Sequence, residues 1–162
     1  MLEAQKKLDI RIFKNKGIKE YPFKNIKLAL LVELGELCNE DKCFKYWKKH
    51  REIDRNKILD EFADCLHFAL SLENYYLDKG EKFKIDNYNF EDAVKYVKTN
   101  KQTLNDRVEG FLYVYNSMFD NTRYILVNIV ALGLLLGISL QEMEQAYYKK
   151  NKVNYKRQEE GY

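Results

Sequence analysis

Apolar residues recur along most of the chain at the spacing of an α-helix rather than in the alternation of a β-strand. Leu2, Leu8, Ile12 and Phe13 lie among charged residues and predict a first amphipathic helix over residues 2–14. The same periodicity predicts five further helices, over residues 23–41, 52–79, 90–119 with a break near 99–103, 121–136, and from 139 toward 151.

The predicted boundaries coincide with residues that stop or start helices. The stop signals are three glycines and the single proline: Gly17, Pro22, Gly80 and Gly137. Two start signals fit a capping box, namely Ser139 with Glu142 and Thr103 with Asp106. Residues 80–89 are interpreted as a connector. The pattern therefore predicts an all-α fold, a helical bundle forming one domain over residues 1–162.

Composition narrows the class of protein. The 162 residues are 46% hydrophobic with a net charge of +3, which is too small an excess to indicate a nucleic-acid binder. The most apolar stretch, residues 124–140, contains Asn128 and Ser139 and is too short to span a membrane. Three cysteines and the lack of an apolar secretory signal lead us to expect a reduced, cytoplasmic protein.

Four carboxylates stand where the apolar pattern predicts a core. Glu33 and Glu36 are three residues apart in the second helix, which is apolar on most of its circumference and is expected to be buried nearly all round. Glu61 and Asp64 repeat the spacing in the third helix. Because an unpaired buried carboxylate is very costly, such groups protonate, pair with a cation or bind a metal. Carboxylate oxygens of this kind suit Mg²⁺ or Mn²⁺.

Two other interpretations of the carboxylates stay open at this point. The four side chains could lie on solvated faces or pair with some of the 28 basic residues. A di-iron bundle is less consistent with the sequence, because such sites use Glu-x-x-His motifs and Asp64 stands where the histidine is needed. His67 alone could not supply the usual two histidines.

The carboxylate pattern resembles that of a known superfamily. An E-x-x-E motif followed by E-x-x-D some 25 residues later is similar to the signature of the all-α nucleoside triphosphate pyrophosphohydrolases, which include MazG-like enzymes and dimeric dUTPases. Five stretches resemble the dimeric dUTPase branch in particular: residues 5–9, 31–37, 43–47, 64–68 and 148–162.

This resemblance implies Mg²⁺-dependent hydrolysis of dUTP, and also of dUDP, to dUMP, by attack of a metal-activated water on the α-phosphate. Mn²⁺ is expected to substitute for Mg²⁺. The metal ligands would be Glu33, Glu36, Glu61 and Asp64. Glu36 or Glu33 would act as the catalytic base, with Glu36 preferred. The resemblance also implies a homodimer, and the apolar residues 121–136 are expected to contribute to its interface.

The same resemblance implies a set of substrate-binding residues. Four lie in the basic C-terminal segment and would contact phosphate or base: Lys149, Asn151, Asn154 and Arg157. Composition alone would favour a solvated basic tail there, and the choice between Lys149 and Lys150 stays open. Five more would form the base pocket: Gln5, Asp9, Trp47, His67 and Phe68. Trp47 could instead be an anchor that closes the bundle.

Two rival functions are consistent with parts of the pattern. A MazG-like pyrophosphohydrolase would share the metal site and act on other nucleotides or on a broader range of them. A non-enzymatic helical interaction module would not need carboxylates inside apolar helices. Binding of a divalent metal therefore separates this module from both enzymes.

Overall fold

The computed structural model describes residues 1–80, 104–120 and 122–161, and within them the chain is helical and contains no strand. The helices are α1 (Leu2–Lys16), α2 (Phe23–Asp41), α3 (Arg55–Asp78), α4 (Leu104–Asp120), α5 (Ile125–Leu135) and α6 (Leu140–Glu159). A short 3-10 turn, Thr122–Tyr124, precedes α5. The predicted all-α fold class is confirmed.

The junction between α5 and α6 forms as the sequence predicts. Gly137 adopts a left-handed conformation with φ of 76°, and the Ile138 N–H donates to the Gly133 carbonyl at 2.8 Å, which is the pattern of a Schellman motif. Ser139 and Glu142 then form a complete capping box at the start of α6. These two local signals fix the sharp turn that returns α6 against the rest of the bundle.

Some predicted boundaries differ from those of the structure. Helix α3 begins at Arg55 rather than at residue 52, because the Asp54 carboxylate accepts a hydrogen bond from the Asn56 N–H at 2.9 Å and caps the helix. The predicted helix 121–136 is divided into the 3-10 turn and α5. Residues 81–103, which include most of the predicted connector, the break near 99–103 and Thr103, lie outside the described residues.

Helix α3 runs through the centre of the bundle and contacts α1, α2, α5 and α6. Its Phe62 and Leu66 side chains are fully buried. Gly133 of α5 lies against the Phe62 ring so closely that a Cβ atom at this position would be 2.6 Å from it. The missing side chain therefore allows α5 to approach the central helix.

The structure overturns the expectation about the burial of α2. Helix α2 is not buried nearly all round, since Leu28 and Val32 are 62% and 51% exposed. Helix α5 buries much of its apolar surface within its own chain, including Ile125 and Ile129. Among the described residues, no single helix has the length and low polarity needed to cross a membrane. Only together do the segments Thr122–Leu135 and Leu140–Glu159 reach the length and composition of a membrane span, and this pair is bent by 114°.

Candidate active site

Three of the four predicted metal ligands converge between α2 and α3. Glu33 on α2 and Glu61 and Asp64 on α3 each offer an oxygen atom, and these atoms all lie within 4.8 Å of one another. Glu61 and Asp64 project from the same face of α3 because they are three residues apart. The donor set consists of carboxylate oxygens, which are the ligands that Mg²⁺ and Mn²⁺ prefer.

The electrostatics of this cluster fit a divalent cation. Burial, followed by the nearby charges of Asp64, Glu36 and Glu61, raises the pKa of Glu33 to about 7. Burial and neighbouring carboxylates also raise the pKa of Glu61, and burial raises that of Asp64. All three side chains are thus held in surroundings that disfavour their charged forms, and a divalent cation would relieve this penalty.

The fourth predicted ligand, Glu36, lies at the edge of the cluster. Its side chain is exposed and is not one of the three that converge within 4.8 Å. Its charge nevertheless contributes to the raised pKa of both Glu33 and Glu61. Glu36 is therefore near enough to interact with the site while it keeps access to solvent.

A lysine from α6 reaches the cluster. The Lys150 Nζ atom lies 2.6 Å from Oδ2 of Asp64 and 2.9 Å from Oδ2 of Asp60, and the Lys150 side chain is only 12% exposed. Burial acts to lower the pKa of Lys150, but the hydrogen bonds to Asp64 and Asp60 and the charges of these carboxylates together raise it. Lys149 is exposed and lines a groove that includes Leu59. Of the two lysines, Lys150 is the one that contacts the carboxylates.

A second polar network lies between α1, α3 and α6. The Gln5 amide donates to Oδ1 of Asp9 at 2.7 Å, and the Gln5 carbonyl is 2.6 Å from Nδ1 of His67. The Tyr147 hydroxyl donates to the same carbonyl at 3.3 Å and accepts from the Asn151 amide at 3.3 Å. Four predicted substrate-binding residues are thus joined, directly or through Tyr147, in one buried chain of hydrogen bonds.

Burial sets the protonation of this network. It lowers the pKa of His67 to about 4, so the ring is neutral at pH 7 and its Nδ1–H donates to Gln5. Burial also raises the pKa of Asp9 to about 6, against hydrogen bonds from Ser71 and Gln5 that act to lower it. The orientation of the Gln5 amide is therefore fixed by two titratable neighbours.

The remaining predicted residues lie outside this network. Trp47 is 60% exposed, and its ring packs edge-to-face against Phe44 and Tyr46. Phe68 is half-buried against the hydrophobic core. Arg157 donates to Oδ1 of Asn154 at 3.5 Å, and its charge acts against the burial that raises the pKa of Asp64. The basic segment belongs to helix α6, and this helix continues past Asn151 and ends at Glu159.

Sequence reasoning missed two residues of the site. Tyr147 is fully buried and stacks on the His67 ring at a centroid distance of 4.4 Å. Its position one helical turn before Asn151 was the available signal, because residues four apart share a helix face. Asp60 pairs with Lys150 at 2.9 Å, and its spacing of four residues from Asp64 was the available signal for it.

Comparison with known proteins identifies the family. No curated protein matches the chain. A family model described as dUTPase matches residues 1–162. The match covers the helices that carry the carboxylate cluster, Lys150 and the Gln5 network. The chain therefore belongs to the dUTPase family, whose members hydrolyse dUTP.

Proposed function

We propose that the chain hydrolyses dUTP to dUMP and pyrophosphate, and dUDP to dUMP and phosphate, at a divalent-metal site formed by Glu33, Glu36, Glu61 and Asp64. The observation that carries this proposal is the convergence of Glu33, Glu61 and Asp64 from two helices. In this proposal, residues 1–162 form one domain and the protein acts as a cytoplasmic homodimer. Mg²⁺ is the proposed metal, with Mn²⁺ as a substitute.

The roles of the carboxylates follow from their positions. A bound divalent metal would neutralise charge on the phosphate oxygens and lower the pKa of an attacking water. Glu33, Glu61 and Asp64 would hold it, because their oxygens already lie close together, and Glu36 would complete the site from its edge. Glu36, with its exposed side chain at the edge of the cluster, is the preferred acceptor of the proton from that water, and Glu33 is the alternative.

The base would be recognised through the Gln5 network. A carboxamide offers a donor and an acceptor, which match the N3–H and a carbonyl of uracil. Asp9 and His67 contact Gln5 directly and Asn151 contacts it through Tyr147, while Phe68 follows His67 on α3. Because Gln5 and His67 are each only 4% exposed, base binding would require α1 to move relative to α3 and α6.

The phosphates and the outer face of the base would be bound by more exposed side chains. Lys149, Asn154 and Arg157 lie along α6 and present cations and an amide, which suit phosphate oxygens. Trp47 offers an exposed aromatic face for stacking on the base. These contacts would form around a nucleotide held at the carboxylate cluster.

A nucleotide panel tests the proposal. Release of pyrophosphate or phosphate is measured for dUTP, dUDP, dCTP and dTTP, with Mg²⁺, with Mn²⁺ and with neither. We expect dUTP and dUDP to be hydrolysed far faster than the others, and only with metal. Equal turnover of all triphosphates would favour a MazG-like enzyme of broad specificity. Absence of both turnover and metal binding would favour a helical interaction module.

A further inference from the structure

Lys150 lies in an unusual position for a lysine on an outer helix of the bundle. Its Nζ atom lies between two carboxylates that are four residues apart on α3, at 2.6 Å from Asp64 and 2.9 Å from Asp60. The side chain is 12% exposed, whereas the Asp60 side chain is 52% exposed. The ammonium group therefore contacts both an inner carboxylate, Asp64, and an outer, more exposed one, Asp60.

The inner carboxylate of this pair is also a candidate metal ligand. Oδ2 of Asp64 is engaged by the Lys150 ammonium, and the Asp64 side chain belongs to the cluster with Glu33 and Glu61. Mg²⁺ holds its oxygen ligands at roughly 2.0–2.1 Å in near-ideal octahedral geometry. An ammonium in contact with the same carboxylate is repelled by such an ion and competes with it for the oxygen atoms.

We propose that Lys150 is a tethered cation that neutralises Asp64 in the metal-free protein and is displaced from it when a divalent metal binds, while Asp60 retains the lysine close by. This inference rests on the proposed metal site and adds to it a charge-compensating device. It explains how three carboxylates can stay close together without metal, because an internal cation offsets part of their repulsion.

Asp60 gives the displaced lysine a place to remain. It precedes Asp64 by one helical turn, so the two carboxylates lie on the same face of α3. Lys150 contacts both at once, and release from Asp64 therefore requires only a small shift toward Asp60. Helix α6 does not need to move for this exchange, since lysine has four rotatable side-chain bonds.

The neighbouring lysine supplies a matched reference. Lys149 precedes Lys150 on α6, but it is exposed and lines the groove with Asn56 and Gln145. The two residues share chemistry, sequence context and helix, and they differ in whether the ammonium touches a cluster carboxylate. A difference in their response to metal therefore reports on the contact with Asp64.

Differential lysine labelling of the full chain tests the displacement. The protein is pulse-labelled with an amine-acylating reagent with and without saturating Mg²⁺, and fragment ions separate Lys149 from Lys150. We expect Mg²⁺ to increase labelling of Lys150 several-fold and to leave Lys149 unchanged. Unchanged labelling of Lys150, at a Mg²⁺ concentration that raises the thermal midpoint of unfolding, would overturn the proposal.

Titration calorimetry of Mg²⁺ binding provides a second measurement. Lys150→Gln removes the competitor and should bind Mg²⁺ several-fold more tightly than the wild type, while Lys150→Arg and Lys149→Gln should bind it as the wild type does. Equal or weaker binding by a folded Lys150→Gln variant would overturn the displacement. If the wild type bound neither Mg²⁺ nor Mn²⁺, the proposed metal site would fail, and this inference with it.

Discussion

Asp9 is a carboxylic acid in a place where a neutral amide would also form hydrogen bonds. It is 9% exposed, accepts from Gln5, and its pKa is raised from 3.8 to about 6, chiefly by burial. The folded state therefore binds this proton more tightly than the unfolded state does. The resulting stabilisation is fully present below pH 4 and is lost as the pH rises through about 6.

Asp9→Asn should remove this pH dependence. The shift corresponds to up to about 3 kcal/mol in the free energy of unfolding, because each pKa unit is worth 1.36 kcal/mol. We expect the variant to be more stable than the wild type at pH 8 and to lose that advantage toward pH 4. Urea unfolding across this range measures the difference between the two proteins. Parallel stability curves for the two proteins would contradict the raised pKa.

Glu61 and Glu36 illustrate the cost of gathering like charges. Glu61→Gln or Glu36→Gln removes one negative charge from the cluster, so the metal-free protein should be as stable as the wild type or more stable. Both variants should lose dUTP hydrolysis, and Glu61→Gln should lose the rise in thermal midpoint that Mg²⁺ gives the wild type.

Glu109→Gln is the control for this pair, since Glu109 is an exposed carboxylate on α4, a helix that carries none of the cluster carboxylates. It should keep both activity and the response to Mg²⁺. Activity lost only through unfolding of Glu61→Gln would count against a role in metal binding. Circular dichroism of each variant separates these outcomes.

At the scale of the element, the sequence predicts best where the determinants are local. The bounds of α2 and the turn between α5 and α6 depend on a break at Pro22, on Gly137 and on a capping box, all of which act within a few residues. The predicted start of α3 at residue 52 is wrong because the charged residues before Asp54 fit a helix equally well. Only the hydrogen bond from the Asn56 N–H to the Asp54 carboxylate shows that the helix begins after Asp54.

The candidate site was likewise predictable only where it depends on local spacing along one helix. The three-residue spacing on α3 correctly implied that Glu61 and Asp64 share a face. It could not decide between Lys149 and Lys150, because neighbouring residues differ by about 100° around a helix. Which of them meets Asp64 depends on how α6 is rotated against α3, and that rotation is set by tertiary packing of residues such as Tyr147.

The connection between α2 and α3 carries Trp47, which should matter for substrate more than for folding. Trp47→Ala removes an exposed ring that packs on Phe44 and Tyr46, so we expect a loss of less than about 1 kcal/mol in stability. If the ring stacks on the base, KM for dUTP should rise about tenfold or more.

Ile53→Ala is the control for Trp47→Ala, because Ile53 is an apolar residue that is 44% exposed on the same connection. It should leave KM close to the wild-type value. A large loss of stability in Trp47→Ala with unchanged KM would show that the tryptophan is a structural anchor. Steady-state kinetics and urea unfolding of both variants decide the question.

At the scale of the molecule, the described residues leave an apolar surface exposed along the contact between α2 and α4. The Tyr115 hydroxyl of α4 donates to the Leu31 carbonyl of α2 at 3.4 Å and marks the line where the helices meet. On the solvent side of this line, each helix presents large apolar side chains that are more than half exposed: Leu28 and Val32 on α2, and Leu112 and Phe119 on α4. Exposed apolar surface of this extent is typical of an interface.

This surface changes where the predicted homodimer should form. Residues 121–136 were expected to contribute, but Ile125, Ile129 and Leu132 are already buried within the chain. A second copy covering the α2 and α4 surface would bury Leu28 and Val32, and it would approach Glu36, which is one turn beyond Val32 on the exposed side of α2. Assembly and the candidate active site would then share one helix.

The last prediction is therefore that the chain forms a homodimer through α2 and α4. Light scattering at micromolar concentration should give about twice 19.5 kDa, since a symmetric dimer is the commonest closed assembly. Leu28→Glu places a charge in the proposed interface and should yield a folded monomer. Ile10→Glu, at a 58% exposed position on α1, should remain dimeric. A wild-type monomer with full activity would refute the dimer, and a dimer that persists in Leu28→Glu would place the interface elsewhere.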